Sequence, residues 1–384
     1  MNSRDRVLTA LNHEEPDRAP IDLGGYQSGM NWRAYKKLKS EISKRNKDLK
    51  MTEGPNEIEI LELNQGLAKV AEEIKKEFGI DTRYVFPQPP SNWELELKYG
   101  NGQVSYTDWW GVERVKLDNL QYFEPIEHPL GNADLQGIQK YQWPSIDKGI
   151  FEGVEEKAKK LHKRNNFAIS TTVPGLFETS WYLTGFSRIL KSLVSDLDFV
   201  ENLLDEVLEV LKEYYDIYLR EVGQYLDIVQ FYDDLGGQDG PLFDPDIYRN
   251  VLKPRHRDLV KLIKKKTDAK VAQHTDGVLR PFLDDLIEID IDIINPVQVS
   301  AVGNQNTGAL NEEFGEEIAF WGGIDTQNVL PYGNRETVER EVKKRLEDLA
   351  PGGGYLLSSV HNIQSDVPPE NIIAMYETAM KWHY

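Results

Sequence analysis

Two of the seven histidines, His274 and His361, close β-rich runs. Four acids, Asp233, Asp234, Asp276 and Asp325, close other such runs. Imidazole and carboxylate converging on one cavity form a donor set suited to zinc. The pair His274-x-Asp276 stands out, because residues i and i+2 on an extended strand face the same side and can reach one ion. The chain has no cysteine. Thiolate-ligated zinc, iron–sulfur clusters, thiolate nucleophiles and disulfides are therefore excluded. Asp276-Gly277 has a second use, as the N-cap of a helix starting near Val278. A two-residue match leaves both roles open. Asp244 and Asp366 read as caps or turn residues. The other histidines, His13, His128, His162, His256 and His383, read as solvated, with His162 and His256 lying among Lys and Arg on predicted helices.

Aromatic residues cluster near the same strand ends: Tyr26, Trp109, Trp110, Trp181, Tyr182, Phe231, Tyr232 and Trp321. Core packing accounts for about half of such a set. The remainder can wall a pocket for a flat ligand. No Ser-His-Asp order, catalytic carboxylate pair or nucleophile elbow is present.

Eight strands can position these residues: Ala19–Leu23, Thr82–Phe86, Phe167–Thr172, Asp227–Tyr232, Ala269–His274, Asp292–Pro296, Ile318–Gly322 and Tyr355–Val360. Helical periodicity fills most gaps, over Glu57–Phe78, Val154–Arg164, Asp196–Val222, Pro245–Lys265, Val278–Glu288, Arg335–Leu349 and Pro369–Trp382. Asn56, with Glu59 three residues on, can cap the first of these; Asp196 and Asp244-Pro245 mark the start of two others. Eight β/α units predict a distorted (β/α)8 TIM barrel whose site lies at the strand C-termini. No glycine-rich phosphate loop follows any strand, which argues against an open nucleotide-binding sheet. Leu95–Leu117 breaks the alternation and reads as a β-hairpin turning at Asn101-Gly102. It is taken as part of an insertion, about residues 90–145, between strands two and three. Asp118–Trp143 reads as loop. Residues 1–384 form one barrel domain on this reading.

The 384 residues carry 45 Lys+Arg against 64 Asp+Glu, a formal net charge of −19. Such a surface repels nucleic acid and anionic membranes. No apolar run approaches the roughly 20 residues of a membrane span. The N-terminus lacks a signal-peptide core, so a cytoplasmic location is expected.

The segments FWGGID (Phe320–Asp325), GGGYLLSSVHNIQSDVPPEN (Gly352–Asn371), DDLGGQDG (Asp233–Gly240), HTDG (His274–Gly277), NPVQ (Asn295–Gln298) and TDWWGVERV (Thr107–Val115) together resemble the uroporphyrinogen decarboxylase superfamily, over most of the chain. The resemblance implies a distorted barrel with its site at the strand C-termini. The porphyrin decarboxylases of that superfamily resemble R-Q-A-G-R after the first strand, where arginines hold substrate carboxylates. Here the place is Gly24–Met30 (GGYQSGM), without a guanidinium for bidentate capture. On the decarboxylase alternative, Asp81 or Asp233/Asp234 would bind pyrrole N–H groups, near His361.

The other branch is similar to zinc-dependent cobalamin methyltransferases, whose sites use a His-x-Cys pair and a later Cys. His274 matches the histidine, Asp276 the first cysteine and His361 the second. Asp234, or Asp233, becomes a fourth ligand or an acceptor orienting a histidine. Exchanging two thiolates for a carboxylate and an imidazole leaves the zinc site with one net positive charge. It becomes a stronger Lewis acid, suited to an ether oxygen. The resemblance thus implies the methyltransferase component of an O-demethylase. A methyl group would pass from a methoxylated aromatic to cob(I)alamin on a separate corrinoid protein, with Tyr26, Trp181, Tyr182, Tyr232 and Trp321 walling the donor pocket. A quaternary amine in an aromatic cage stays open as donor, as do monomer and homodimer.

Overall fold

The computed structural model describes residues 1–46, 49, 51, 54, 57–117 and 122–384. Seven parallel strands form one sheet, in chain order β1 (Thr82–Tyr84), β2 (Ala168–Val173), β3 (Ile228–Tyr232), β4 (Lys270–His274), β5 (Ile293–Asn295), β6 (Ala319–Ile324) and β7 (Tyr355–Ser359). Each strand pairs with its neighbour in sequence, as right-handed β/α units require. The expected first strand, Ala19–Leu23, is reduced to one parallel bridge between Ile21 and Leu357. That segment still joins the sheet's two ends. Asp22 N donates to Leu357 O at 2.9 Å and Asp81 N donates to Ile21 O at 2.9 Å. The result is an α/β barrel of TIM type with an irregular closing segment.

Inside the barrel, alternate residues contribute Tyr84, Ala168, Ile228, Ala272, Ile293, Ala319, Trp321 and Leu356. Three alanines make room for the one indole. Val7 and Leu11 of the helix Ser3–Leu11 join the same cluster. Beneath the closing segment, Asp81 is fully buried and accepts from Arg6, Arg18 and Ile21 N.

Outside, helices cover the sheet. The longest, Leu197–Val222, buries the stripe Phe199, Leu203, Val207, Leu211, Tyr214, Tyr218 and Val222, and Asp196 caps it by accepting from Phe199 N. The predicted helix Pro245–Lys265 is broken by a π-turn at Tyr248–Leu252. Pro254 has no N–H for the preceding turn, and the wider turn absorbs this. Val278–Glu288 shrinks to a 3-10 turn at Arg280–Phe282 and a helix at Leu283–Glu288, since Pro281 delays the start.

One predicted helix is wrong. Glu57–Phe78 contains strands Ile60–Glu62 and Leu67–Ala68 and only a short helix, Glu72–Glu77. Its apolar spacing served a hairpin, and Gly66 with φ +61° marks the turn. The proposed cap Asn56 lies outside the described residues. The hairpin at Asn101-Gly102 belongs to a larger antiparallel sheet of Lys98–Gly100, Gln103–Thr107, Glu113–Leu117 and Glu124–Glu127. Both turn residues have positive φ (50° and 71°), as a two-residue hairpin of this type demands. Part of the expected loop, residues 118–121, lies outside the described residues; its remainder holds a strand and the helix Leu135–Lys140. No helix among the described residues is long and apolar enough to cross a membrane.

Candidate metal centre

The strand register builds the site. His274 ends β4 and lies beside Tyr232 of β3 and Asn295 of β5. Residues level with one another in a parallel sheet face the same way, so all three point into the barrel mouth. Asp276 follows on the same loop and His361 follows β7. Their ligand atoms meet: one from each of His274, Asp276 and His361 lies within 4.8 Å of the other two. The two imidazole rings are 5.7 Å apart at their centroids.

One atom tests whether this cluster suits a cation. Asp276 Oδ1 is buried and has no hydrogen-bond partner. A carboxylate oxygen left so is costly unless something positive or hydrogen-bonding meets it. Asp276 also caps no helix, because the next one starts beyond it without a side-chain cap. The donor set of two imidazoles and one carboxylate fits zinc.

The histidine is oriented from behind. His274 Nδ1 lies 2.7 Å from Asn295 Oδ1, which also accepts from Gln230 Nε2 at 2.9 Å. With Gln230 donating, the Asn295 oxygen is fixed toward both, and His274 must donate through Nδ1–H. Nε2 is left with its lone pair free for a ligand role. Asn295 was seen in the sequence only as part of the NPVQ segment. Its role depends on strand register, which the sequence does not print. Asn295→Leu is expected to weaken zinc binding about 10- to 100-fold with the fold intact, read by competition with a chromophoric chelator.

The two neighbouring acids separate sharply. Asp233 is fully buried and accepts from Leu176 N and Glu178 N at 2.7 Å each, and from His256 Nε2 at 2.8 Å. It therefore caps the helix Leu176–Thr184 and is not available to an ion. Gly175 permits the approach, because a Cβ there would lie 1.7 Å from Tyr232 O. His256, expected in solvent, is buried against Asp233, with Tyr248 OH 3.4 Å from its other nitrogen. Asp234 lines the cavity but is not in the converging group. Its Oδ1 accepts from Asp276 N at 2.8 Å, which positions the Asp276 loop. Burial and the Asp276 charge push its carboxyl up to about 6. Asp325 caps its own loop, accepting from Gln327 N and Asn328 N. Asp81, offered for a decarboxylase, is consumed by Arg6 and Arg18 beneath the closing segment.

Above the cluster lies a cavity of about 420 Å³ lined by Tyr26, Trp181, Tyr182 and Tyr232 as well as by the three clustered residues. Tyr26 stacks on Phe86 at 3.9 Å. Trp321 is not on this wall. It is 1 % exposed inside the barrel, because odd-numbered β6 residues face inward one layer below the mouth. An adjoining space of about 280 Å³ is walled by Trp93, Tyr106, Trp109, Trp110 and Tyr214.

Glu178 also lines the larger cavity and accepts from Tyr182 OH at 2.5 Å. The two are i and i+4 on a helix that the periodicity did not reveal. Burial, then the Asp234 charge, pushes the Glu178 carboxyl well above its ordinary value of 4.5. The folded protein keeps this proton where the unfolded chain has lost it, so stability declines as pH rises above that value. In Glu178→Gln this dependence vanishes. The urea midpoint of the variant is expected to gain on the wild type between about pH 5 and pH 8.

The model of the family described as Uroporphyrinogen decarboxylase (URO-D) matches residues 126–382. A curated uroporphyrinogen decarboxylase from Alkalilimnicola ehrlichii is 32% identical over 72 residues, 19% of this chain and 19% of that protein. One from Geobacter metallireducens is 26% identical over 175 residues, 46% of this chain and 47% of its own length. The chain thus aligns with less than half the length of these relatives. Among solved structures, a methyltransferase from Methanosarcina mazei covers 99% of both chains with a TM-score of 0.65 at 17% identity. That likeness establishes a shared fold.

Proposed function

The chain belongs to the uroporphyrinogen decarboxylase (URO-D) family, and on that footing we propose that it is a zinc-dependent methyltransferase. It moves a methyl group from a small donor, a methoxylated aromatic, to cob(I)alamin carried by a partner corrinoid protein. The observation that carries this reading is the convergence of His274, Asp276 and His361, with Asp276 Oδ1 unpartnered, at the floor of an aromatic cavity. The methyltransferase among the structural neighbours is consistent with it.

When bound, zinc supplies Lewis acidity at the oxygen that loses its methyl group. The chain's own residues do the rest. Asn295 holds His274 in one tautomer. Burial lowers the His361 pKa and keeps the imidazole neutral, as a ligand must be. Tyr26, Tyr182 and Tyr232 hold an aromatic donor by its faces and exclude water. Burial pushes the Glu178 carboxyl well above its ordinary value, which disfavours a further negative charge in the cavity. The porphyrin alternative lacks its cations, since residues 24–30 contain no arginine.

The test has two parts. Purified protein is assayed for zinc by mass spectrometry, and methyl transfer from a methoxylated aromatic to cob(I)alamin is followed by absorbance with the corrinoid protein present. One zinc per chain and chelator-sensitive transfer are expected. Protein that binds no zinc, or whose transfer ignores chelation, removes the proposal. Uroporphyrinogen is expected to be left unchanged.

A further inference from the structure

We infer that Arg114 is a specificity-determining residue that anchors a carboxylate on the methyl donor, so that the substrate class is a methoxylated aromatic acid. This rests on the donor reading above and narrows it. Arg114 comes from the inserted antiparallel sheet and lines both the cavity over the His–Asp–His cluster and the adjoining aromatic space. It is the sole Lys or Arg among the described residues of either lining.

Its guanidinium is only partly used. Nε donates to Asp108 Oδ2 at 2.9 Å. Asp108 Oδ1 already accepts from Trp110 N and Val112 N, so this carboxylate serves the hairpin as well as the arginine. Neither Nη group has a hydrogen-bond partner among the described residues. The guanidinium carbon sits 4.3 Å over the Tyr182 ring. A guanidinium stacked on an aromatic ring presents its remaining N–H groups edgewise in one plane. That planar pair of donors matches the two oxygens of a carboxylate.

The surroundings choose among ligands. The aromatic walls accept a flat ring, and the Arg114 fork accepts an acid on that ring. The floor carries the metal ligands. A methyl ether at one end of a molecule and a carboxylate at the other would address the cluster and Arg114 respectively, both of which line the one cavity. Of the cavity's acids, Glu62 is engaged by Asn64 N and Gln65 N, Glu178 by Tyr182 OH and Asp234 by Asp276 N. A cationic donor would instead meet the like charge of the guanidinium.

The experiment measures binding of para-methoxybenzoate, methoxybenzene and para-methoxybenzylamine by quenching of tryptophan fluorescence, with zinc-loaded and with metal-free protein. The metal-free arm removes any direct carboxylate contact with zinc. The benzoate is expected to bind at least about tenfold tighter than methoxybenzene in both arms. R114Q should erase that preference, the benzoate losing at least about tenfold more affinity than methoxybenzene, and R114K should restore part of it. A purely structural arginine would shift all three ligands together. The inference is overturned if the benzoate has no advantage in metal-free wild-type protein, if the advantage survives R114Q, or if the amine binds best. Should R114Q fail to fold, the ligand ranking of the wild-type protein decides. A benzoate preference without methyl transfer upholds Arg114 and removes the functional reading; transfer from a donor set with no such preference does the reverse.

Discussion

Replacing His274 or Asp276 with alanine is expected to abolish stoichiometric zinc binding and to lower methyl transfer by about a thousandfold or more. The magnitude follows from the several kcal/mol that a Lewis acid contributes where charge develops, at 1.36 kcal/mol for each factor of ten. Each of the three side chains offers one ligand atom, and the two neighbouring acids are engaged otherwise: Asp233 is consumed as a helix cap and Asp234 Oδ1 accepts from the Asp276 amide. The fold should tolerate Asp276→Ala, because Asp276 Oδ1 makes no hydrogen bond to lose, whereas His274→Ala also removes the bond to Asn295. Asp276→Cys is the informative companion. A thiolate should keep the zinc and its formal charge but donate more electron density to it, and so lower its Lewis acidity and the rate with an ether donor while preserving metal content. Zinc analysis, circular dichroism and the cobalamin assay on one preparation check this. A full complement of zinc in both alanine variants would refute the assignment.

Asp233→Ala, one residue from Asp234, is expected to act on stability instead. It strands two helix N–H groups and the buried His256 together. Removing one partner from a buried, hydrogen-bonded pair of this type costs about 3–5 kcal/mol. The urea midpoint should fall accordingly, while whatever protein remains folded keeps its zinc. If the variant were as stable as wild type but metal-free, the roles of the two acids would have to be exchanged. Asp234→Ala should show the opposite profile, with a small loss of stability and a larger loss of metal affinity through the Asp276 loop.

The strand tips were legible because strands buried on both faces are short and mostly apolar, as Ile228, Val229, Phe231 and Tyr232 are within Asp227–Tyr232. They placed His274 and His361 at one rim. What misled was Glu57–Phe78, where a hairpin carries apolar residues at helix-like spacing, and His256, whose lysine and arginine neighbours hid a buried face. Trp321 was placed at a strand end correctly but on the wrong layer. A strand's sequence shows alternation and not depth. Glu178 left no usable mark on its unrecognised helix, and Arg114 showed only as one residue of the TDWWGVERV segment, inside a hairpin whose packing over the mouth depends on contacts far along the chain.

Residue types and local periodicity by themselves established that this chain is a β/α barrel without thiol chemistry and with imidazole and carboxylate at its strand ends. These properties live within a few residues of each other, where propensity and alternation act. Which of the acids is left with an unsatisfied oxygen, which histidine nitrogen is turned outward, and which cation reaches the cavity were decided only in three dimensions. Each depends on a partner dozens to hundreds of residues away, and hydrogen bonding and burial are set by that partner rather than by the neighbouring sequence.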